Sequence, residues 1–191
     1  MNGALQSMKS LNSFPSLRRT KQSAFIKPTI IKMKKIAIGF LLLLFVGNTH
    51  AQQIKKVKIR DVVNMIDTST VPLVVNFWAT WCAPCVHEIP WFESSVAELK
   101  NKNVKLILVS LDFKTDFPEK IKAFVKNKGY KATILWLDET DADLFCPLID
   151  NKWSGNIPVT VMVNNKKGYR QFYGEQVPEM KLKEELKKLV E

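Results

Sequence analysis

Two cysteines separated by two residues are the chain's most reactive feature. Cys82 and Cys85 lie in the segment Trp81–Cys82–Ala83–Pro84–Cys85, between an apolar run and a segment with apolar residues at helical spacing. A thiolate at a helix N-terminus is stabilised by unpaired N–H groups and by the positive end of the helix dipole, which lower its pKa. We therefore expect Cys82 to be the exposed nucleophile and Cys85, one turn into the helix, to resolve the mixed disulfide. Pro84 suits the first helical turn, where its missing N–H costs nothing.

A structural disulfide and half of a zinc site are the alternative interpretations of this pair. Zinc needs two further ligands, whereas the remaining cysteine is Cys146 and the histidine after the leader is His87, with no second pair at metal spacing. A disulfide that closes so short a loop adds little stability. We therefore expect a redox pair without metal or cofactor, a structural buried thiol at Cys146 and a surface position for His87.

The chain's positive charge is concentrated before residue 52. The sequence has 191 residues and a formal net charge of +11. Residues 1–51 contain eight Lys or Arg and no acid, and the remaining 21 basic and 18 acidic side chains leave a net charge of +3. Because phosphate binding needs a clustered cationic surface, this distribution argues against a nucleic-acid partner.

The leader has the three parts of a signal peptide. They are the basic Met33–Lys34–Lys35, the eleven apolar residues from Ile36 to Val46, and the small-x-small site Thr49–His50–Ala51. A membrane span needs about 20 apolar residues, so cleavage and export are favoured over a permanent anchor. We predict a leader over residues 1–51, with a signal peptide over 33–51 and a wrongly assigned start or a transit peptide over 1–32. One domain follows over residues 52–191.

The pattern of apolar residues in that domain alternates between strands and helices. A short edge strand is predicted over 54–59, and apolar runs typical of buried strands cover 72–79, 104–111 and 133–137. Helical spacing predicts helices near 60–67, 89–99, 117–128, 141–149 and after 178, and residues 158–173 have the signature of a hairpin. The order predicts an α/β fold with a parallel sheet and an antiparallel edge.

From about Val57 to the C-terminus, the chain resembles the thioredoxin superfamily and, more closely, its TlpA/ResA-like exported branch. The resemblance rests on the stretch Asn76-Phe77-Trp78-Ala79-Thr80-Trp81-Cys82-Ala83-Pro84-Cys85, on Glu88 and Pro90 after it, and on Ile157–Pro158 before a strand. It implies a thioredoxin fold, in which helices flank a central mixed sheet, with an N-terminal strand and helix as an extension and a helical insertion.

The resemblance also implies a substrate-binding loop. Ile157–Pro158 looks like the family's cis-proline loop, which faces the cysteines and presents the backbone of Ile157 to an extended peptide. An ordinary proline that begins a strand is the alternative. Trp81, as a platform beside the nucleophile, and Pro84, between the cysteines, complete the expected substrate-binding set.

Glu88 follows Cys85 by about one helical turn, and the ResA-like branch carries a glutamate here that is thought to influence the thiols. Such a carboxylate disfavours a second negative charge nearby and can shuttle a proton. Asn76 stands where many thioredoxins have a buried acid, so Glu88 is expected to replace it. A solvated glutamate is the alternative. The sequence departs from the family pattern at Val86, Asn156 and Val159. The resemblance therefore does not predict the redox potential of the pair or its substrate specificity.

These features predict an exported thiol-disulfide oxidoreductase that reduces or exchanges disulfides in periplasmic or other extracytoplasmic proteins. Apocytochrome c before haem attachment is one substrate class that the resemblance implies. The expected partners are exported proteins with disulfides and a membrane thiol electron donor, with membrane contact through the signal sequence only, and the protein is expected to be a monomer. The alternatives are a peroxiredoxin-like peroxidase, which needs a single peroxidatic cysteine, and a non-catalytic peptide-binding module.

Overall fold

The computed structural model describes residues 53–191, and the predicted leader lies outside them. The strands are β1 Lys55–Val57, β2 Leu73–Trp78, β3 Lys105–Ser110, β4 Thr133–Leu137, β5 Val159–Asn164 and β6 Tyr169–Tyr173. The α-helices are α1 Ile59–Thr68, α2 Ala83–Glu98, α3 Glu119–Lys128, α4 Ala142–Ile149 and α5 Glu179–Val190. Two single 3₁₀ turns lie at Lys100–Lys102 and Asn165–Lys167.

The six strands form one mixed sheet in the order β1-β4-β3-β2-β5-β6. β1, β4, β3 and β2 are mutually parallel, and β5 and β6 add the antiparallel hairpin. The predicted α/β fold is therefore confirmed. Because parallel strands end at the same edge, and Trp78 pairs with Ser110, the loops that follow β2 and β3 lie side by side.

Strand β2 lies in the middle of the sheet, and all six of its residues are buried. Successive side chains of a strand point to opposite faces. Val74 and Trp78 accordingly contribute to one apolar layer, which contains residues of α2 and α5, whereas Val75 and Phe77 belong to the opposite layer. Asn76 shares the face of Val74 and Trp78, so a polar group lies within the layer that α2 covers.

Helix α2 begins directly after the loop that follows β2. Cys82 is its N-cap residue, and a proline occupies the first turn. Four buried residues, Cys85, Glu88, Ile89 and Phe92, recur at the spacing of one helical face. Cys82 and Cys85 are therefore held between a buried strand on one side and a packed helix on the other.

Candidate active site

The two motif cysteines form a disulfide at the start of α2. The Cα atoms of Cys82 and Cys85 are 5.3 Å apart, and the backbone N–H of Cys85 donates a hydrogen bond to Cys82 Sγ at 3.3 Å. Cys82 is 5% exposed, so in the disulfide form it is buried rather than exposed as predicted, and Cys85 is fully buried. Cys82 is thus the more exposed residue of the pair, and its sulfur accepts a hydrogen bond from an N–H group at the helix start, which is the arrangement that a nucleophilic role requires.

The loop before β5 lies against Cys82. The Ile157–Pro158 peptide bond is cis, as the resemblance implies, and the carbonyl oxygen of Ile157 lies 3.9 Å from Cys82 Sγ. Asn156 ties this loop to its surroundings, because its carbonyl accepts a hydrogen bond from Trp153 Nε1 at 2.8 Å and its amide donates to the carbonyl of Gly174. The structure therefore brings the predicted peptide-binding loop and the predicted nucleophile together.

Glu88 is fully buried on the face of α2 that also carries Cys85. Its Oε1 accepts a hydrogen bond from Asn76 Nδ2 at 2.8 Å, and its Oε2 accepts one from the backbone N–H of Val177, also at 2.8 Å. The alternative of a solvated helix glutamate is therefore wrong. Asn76 Nδ2 also donates to Thr160 Oγ1 at 2.9 Å, so the network joins β2, β5, α2 and the loop before α5.

Burial dominates the electrostatics of Glu88. Desolvation raises the pKa of its carboxyl from 4.5 to about 7, although the hydrogen bonds from Val177 and Asn76 act in the opposite direction. A carboxyl group with a pKa near neutrality can both hold and release a proton under ordinary conditions. The structure therefore places a carboxyl group with a raised pKa one helical turn from Cys85.

Asp112 is a site residue that the sequence did not indicate. It follows β3 and is buried, and its Oδ1 accepts hydrogen bonds from the backbone N–H of Thr80 at 3.0 Å and from Thr80 Oγ1 at 2.5 Å. Ser110 Oγ donates to Oδ2 at 2.7 Å. Asp112 thus anchors the loop that carries Trp81 and Cys82 through Thr80, two residues before Cys82. A polar residue directly after a buried parallel strand is the sequence signal that could have suggested it.

Trp81 and Pro84 lie at the surface beside the pair. Trp81 is 56% exposed, and the carbonyl of Pro84 accepts a hydrogen bond from Gln176 Nε2 at 3.1 Å. His87 is exposed, as predicted, and its Nδ1 lies 3.2 Å from the same Gln176 nitrogen. Cys146 is a free, buried thiol on α4, and desolvation raises its pKa to about 11, which suits a structural role rather than a reactive one.

Within residues 53–191, no group of three or more His, Cys, Asp or Glu side chains could hold a metal ion. None of the helices in that range is long and apolar enough to cross a membrane.

The family model of AhpC/TSA proteins matches residues 43–168 of the chain. Thiol-disulfide oxidoreductase ResA of Oceanobacillus iheyensis is 40% identical over 63 residues, which are 29% of this chain and 33% of that protein. The match therefore spans about a third of that relative. ResA of Bacillus thuringiensis is 27% identical over 169 residues, which are 83% of this chain and 92% of that protein.

A solved structure with the same fold is that of a thioredoxin-related protein from Neisseria meningitidis serogroup B. It superimposes with a TM-score of 0.53 and 28% sequence identity, over 63% of this chain and 86% of that chain. The sheet and the helices that position Cys82 and Cys85 therefore form a thioredoxin fold.

Replacing Glu88 by Gln should change how stability depends on pH. Because the folded-state pKa of Glu88 is raised to about 7, its ionisation makes folding less favourable as pH rises from about 4.5 to 7. That loss is on the order of 3 kcal/mol and is complete above pH 7. In the disulfide form of Glu88→Gln, the free energy of unfolding should not show this fall. Urea unfolding at pH 4.5 and 7.5 would measure it. The exposed Glu175→Gln is the control, and parallel pH profiles for Glu88→Gln and wild type would contradict the assignment.

Replacing Asp112 by Asn should loosen the loop before Cys82. An amide nitrogen cannot accept hydrogen bonds, so one of the donors on Thr80 or Ser110 loses its partner inside the protein. We expect Asp112→Asn to lower the free energy of unfolding of the oxidised protein by about 2 kcal/mol. Asp143→Asn, which changes an exposed acid of α4, is the matched control. Equal urea midpoints for the two variants would show that Asp112 does not anchor the loop.

Proposed function

The chain belongs to the AhpC/TSA family and is a thiol-disulfide oxidoreductase, and from this premise we propose that it reduces disulfides of extracytoplasmic proteins through Cys82 and Cys85. One observation carries the proposal. The sulfur of Cys82, the more exposed residue of the pair, lies both at the start of α2 and 3.9 Å from the carbonyl of Ile157 in the predicted peptide-binding loop. The sulfur proposed to react and the backbone group proposed to bind the substrate are therefore neighbours.

The reaction that this geometry supports has two exchange steps. In the reduced protein, the Cys82 thiolate attacks one sulfur of a substrate disulfide. A bond forms between Cys82 and that sulfur, and the second substrate sulfur leaves as a thiolate that takes up a proton. Cys85 then loses its proton and attacks Cys82 Sγ, which releases the first substrate sulfur as a second thiol. Two electrons pass to the substrate, and the protein is left with the Cys82–Cys85 disulfide, which a dithiol donor must reduce.

Glu88 is proposed to accept the proton that Cys85 loses in the second step. Cys85 is fully buried, so its proton needs an internal acceptor or a path to water. Glu88 lies one turn away on the same buried face, and its raised pKa lets the ionised form near neutrality take up a proton. The hydrogen bonds from Asn76 and Val177 would hold the carboxylate in place during this transfer.

The direction of electron flow is proposed from the charges near Cys82. Residues 61–99, which include β2, the redox loop and α2, contain no Lys or Arg. A thiolate at Cys82 therefore has no cationic partner from its own segment, and ionised Glu88 further disfavours negative charge on the thiols. Since an unfavourable reduced form makes a couple more reducing, this environment supports the role of a disulfide reductase.

The extracytoplasmic location is proposed from the leader. The basic, apolar and small-residue parts of residues 33–51 support export, with cleavage before Gln52. The substrates would then be exported proteins with disulfides, and apocytochrome c before haem attachment is one candidate class. The donor would be a thiol protein of the membrane, and the enzyme would act as a monomer without metal, cofactor or nucleic acid.

Trapping the mixed disulfide tests the proposed roles of the two cysteines. In a background of Cys146→Ser, the reduced Cys85→Ser variant should form a stable mixed disulfide with a peptide disulfide, because nothing resolves the bond at Cys82. The Cys82→Ser variant should form none, since Cys85 is buried. Mass spectrometry of the products, and iodoacetamide labelling of reduced wild type at neutral pH, would measure both. Equal trapping or equal labelling at the two cysteines would contradict the assignment.

Oxidation of the reduced wild-type protein by two different oxidants distinguishes a reductase from a peroxidase. The proposal predicts rapid oxidation by peptide disulfides and only the slow reaction of an ordinary thiol with hydrogen peroxide. Fast peroxide consumption without turnover on disulfides would overturn it in favour of the peroxidase.

A further inference from the structure

Two large aromatic side chains beside the redox pair are exposed to solvent. Trp81 is 56% exposed and Phe113, directly after Asp112, is 65% exposed. Their rings stack on each other, with centroids 6.1 Å apart and planes 23° from parallel. Apolar surface that remains exposed next to a reactive group is a common mark of a binding site.

Buried hydrogen bonds fix the backbone beneath both rings. The carboxylate of Asp112 holds Thr80, the residue before Trp81. The carbonyl of the same Asp112, the residue before Phe113, accepts a hydrogen bond from Trp136 Nε1 at 2.8 Å. Each ring therefore belongs to the residue that follows an anchored one, and a ligand side chain would find the two rings already arranged, which lowers the entropic cost of binding.

The surroundings of Trp81 favour an apolar ligand. Trp81 also lines a groove of about 530 Å³ whose wall includes the apolar side chains of Val86, Pro90 and Phe124. The groove has one cationic side chain, Lys128, and no acidic one. Trp81 thus joins the groove to Phe113, and it directly precedes the nucleophile.

We propose that Phe113 is a specificity-determining residue, which extends the predicted platform of Trp81 so that the two stacked rings contact an apolar or aromatic side chain within one or two residues of the substrate's cysteine. The proposal rests on the reductase function above and names part of the substrate's chemistry. A polypeptide bonded to Cys82 and aligned along Ile157 places the side chains next to its cysteine near the rings. Contact with them would select disulfides in unfolded or partly folded proteins, where apolar residues near cysteines are accessible.

Peptide disulfides that differ beside the cysteine test this role of Phe113. Two synthetic peptides carry Phe or Gly next to the cysteine, and glutathione disulfide serves as a small substrate. Wild type should reduce the Phe peptide with a kcat/KM about five-fold above that of the Gly peptide, mainly through KM. Phe113→Ala should lose most of this preference, and Phe113→Leu should keep part of it.

Leu144→Ala is the matched control, because Leu144 is a 72% exposed apolar residue on α4. It should keep the full preference for the Phe peptide. An unchanged preference in Phe113→Ala, or no preference in a wild type that reduces both peptides, would overturn the proposed role of Phe113 while the proposed function stands. Absence of turnover on all three disulfides would contradict the proposed function and the role of Phe113 with it.

Discussion

The active site depends on the burial of one carboxylate. Glu88 lies on the inner face of α2, one turn after Cys85, and receives hydrogen bonds from a side chain of β2 and from a backbone amide before α5. An ionisable group without water is tolerated only when its hydrogen-bonding capacity is met or when it is neutral. Glu88 accepts two hydrogen bonds, and its burial favours the neutral form, so the pKa of its carboxyl is raised to about 7.

The remaining contacts of the site converge on the same edge of the sheet. Parallel strands β2 and β3 end side by side, so Asp112 can anchor the loop after β2 from the end of β3. The hairpin strand β5 lies on the other side of β2, which places the Ile157 carbonyl beside Cys82. Three segments that are distant in the sequence are thus brought together because their strands are neighbours in one sheet.

Much of this arrangement could be predicted from local sequence signals. The sequence placed Cys82 and Cys85 at a strand–helix junction, where the structure also has them. The runs of apolar residues predicted the strands, and the predicted range 133–137 agrees with both ends of β4. The position before a strand, combined with the family resemblance, was enough to predict the cis bond at Pro158.

Other parts of the site depend on contacts without a local signal. One hydrogen-bond donor to Glu88 is the backbone N–H of Val177, 89 residues away in the sequence. Every residue except proline has such a group, so the sequence does not indicate which one binds Glu88. Glu88 was expected near the cysteines because it follows Cys85 by one helical turn, but a charged residue type also favours solvent, so the sequence left a solvated position as the alternative. A polar residue after a buried strand is a weak signal for Asp112, but its partner Thr80, and Trp81 as the partner of Phe113, become apparent only once β2 and β3 are paired.

The reduction potential of the Cys82–Cys85 couple tests the proposed reductase most directly. Equilibration with dithiothreitol or glutathione buffers, with the extent of oxidation read by thiol labelling, would measure it. Because Cys82 has no cation in its own segment and Glu88 disfavours the thiolate, we predict a potential at or below that of thioredoxin, about −270 mV. A value near about −120 mV, typical of a strong disulfide donor, would mean that the reduced form is stabilised and would contradict the account.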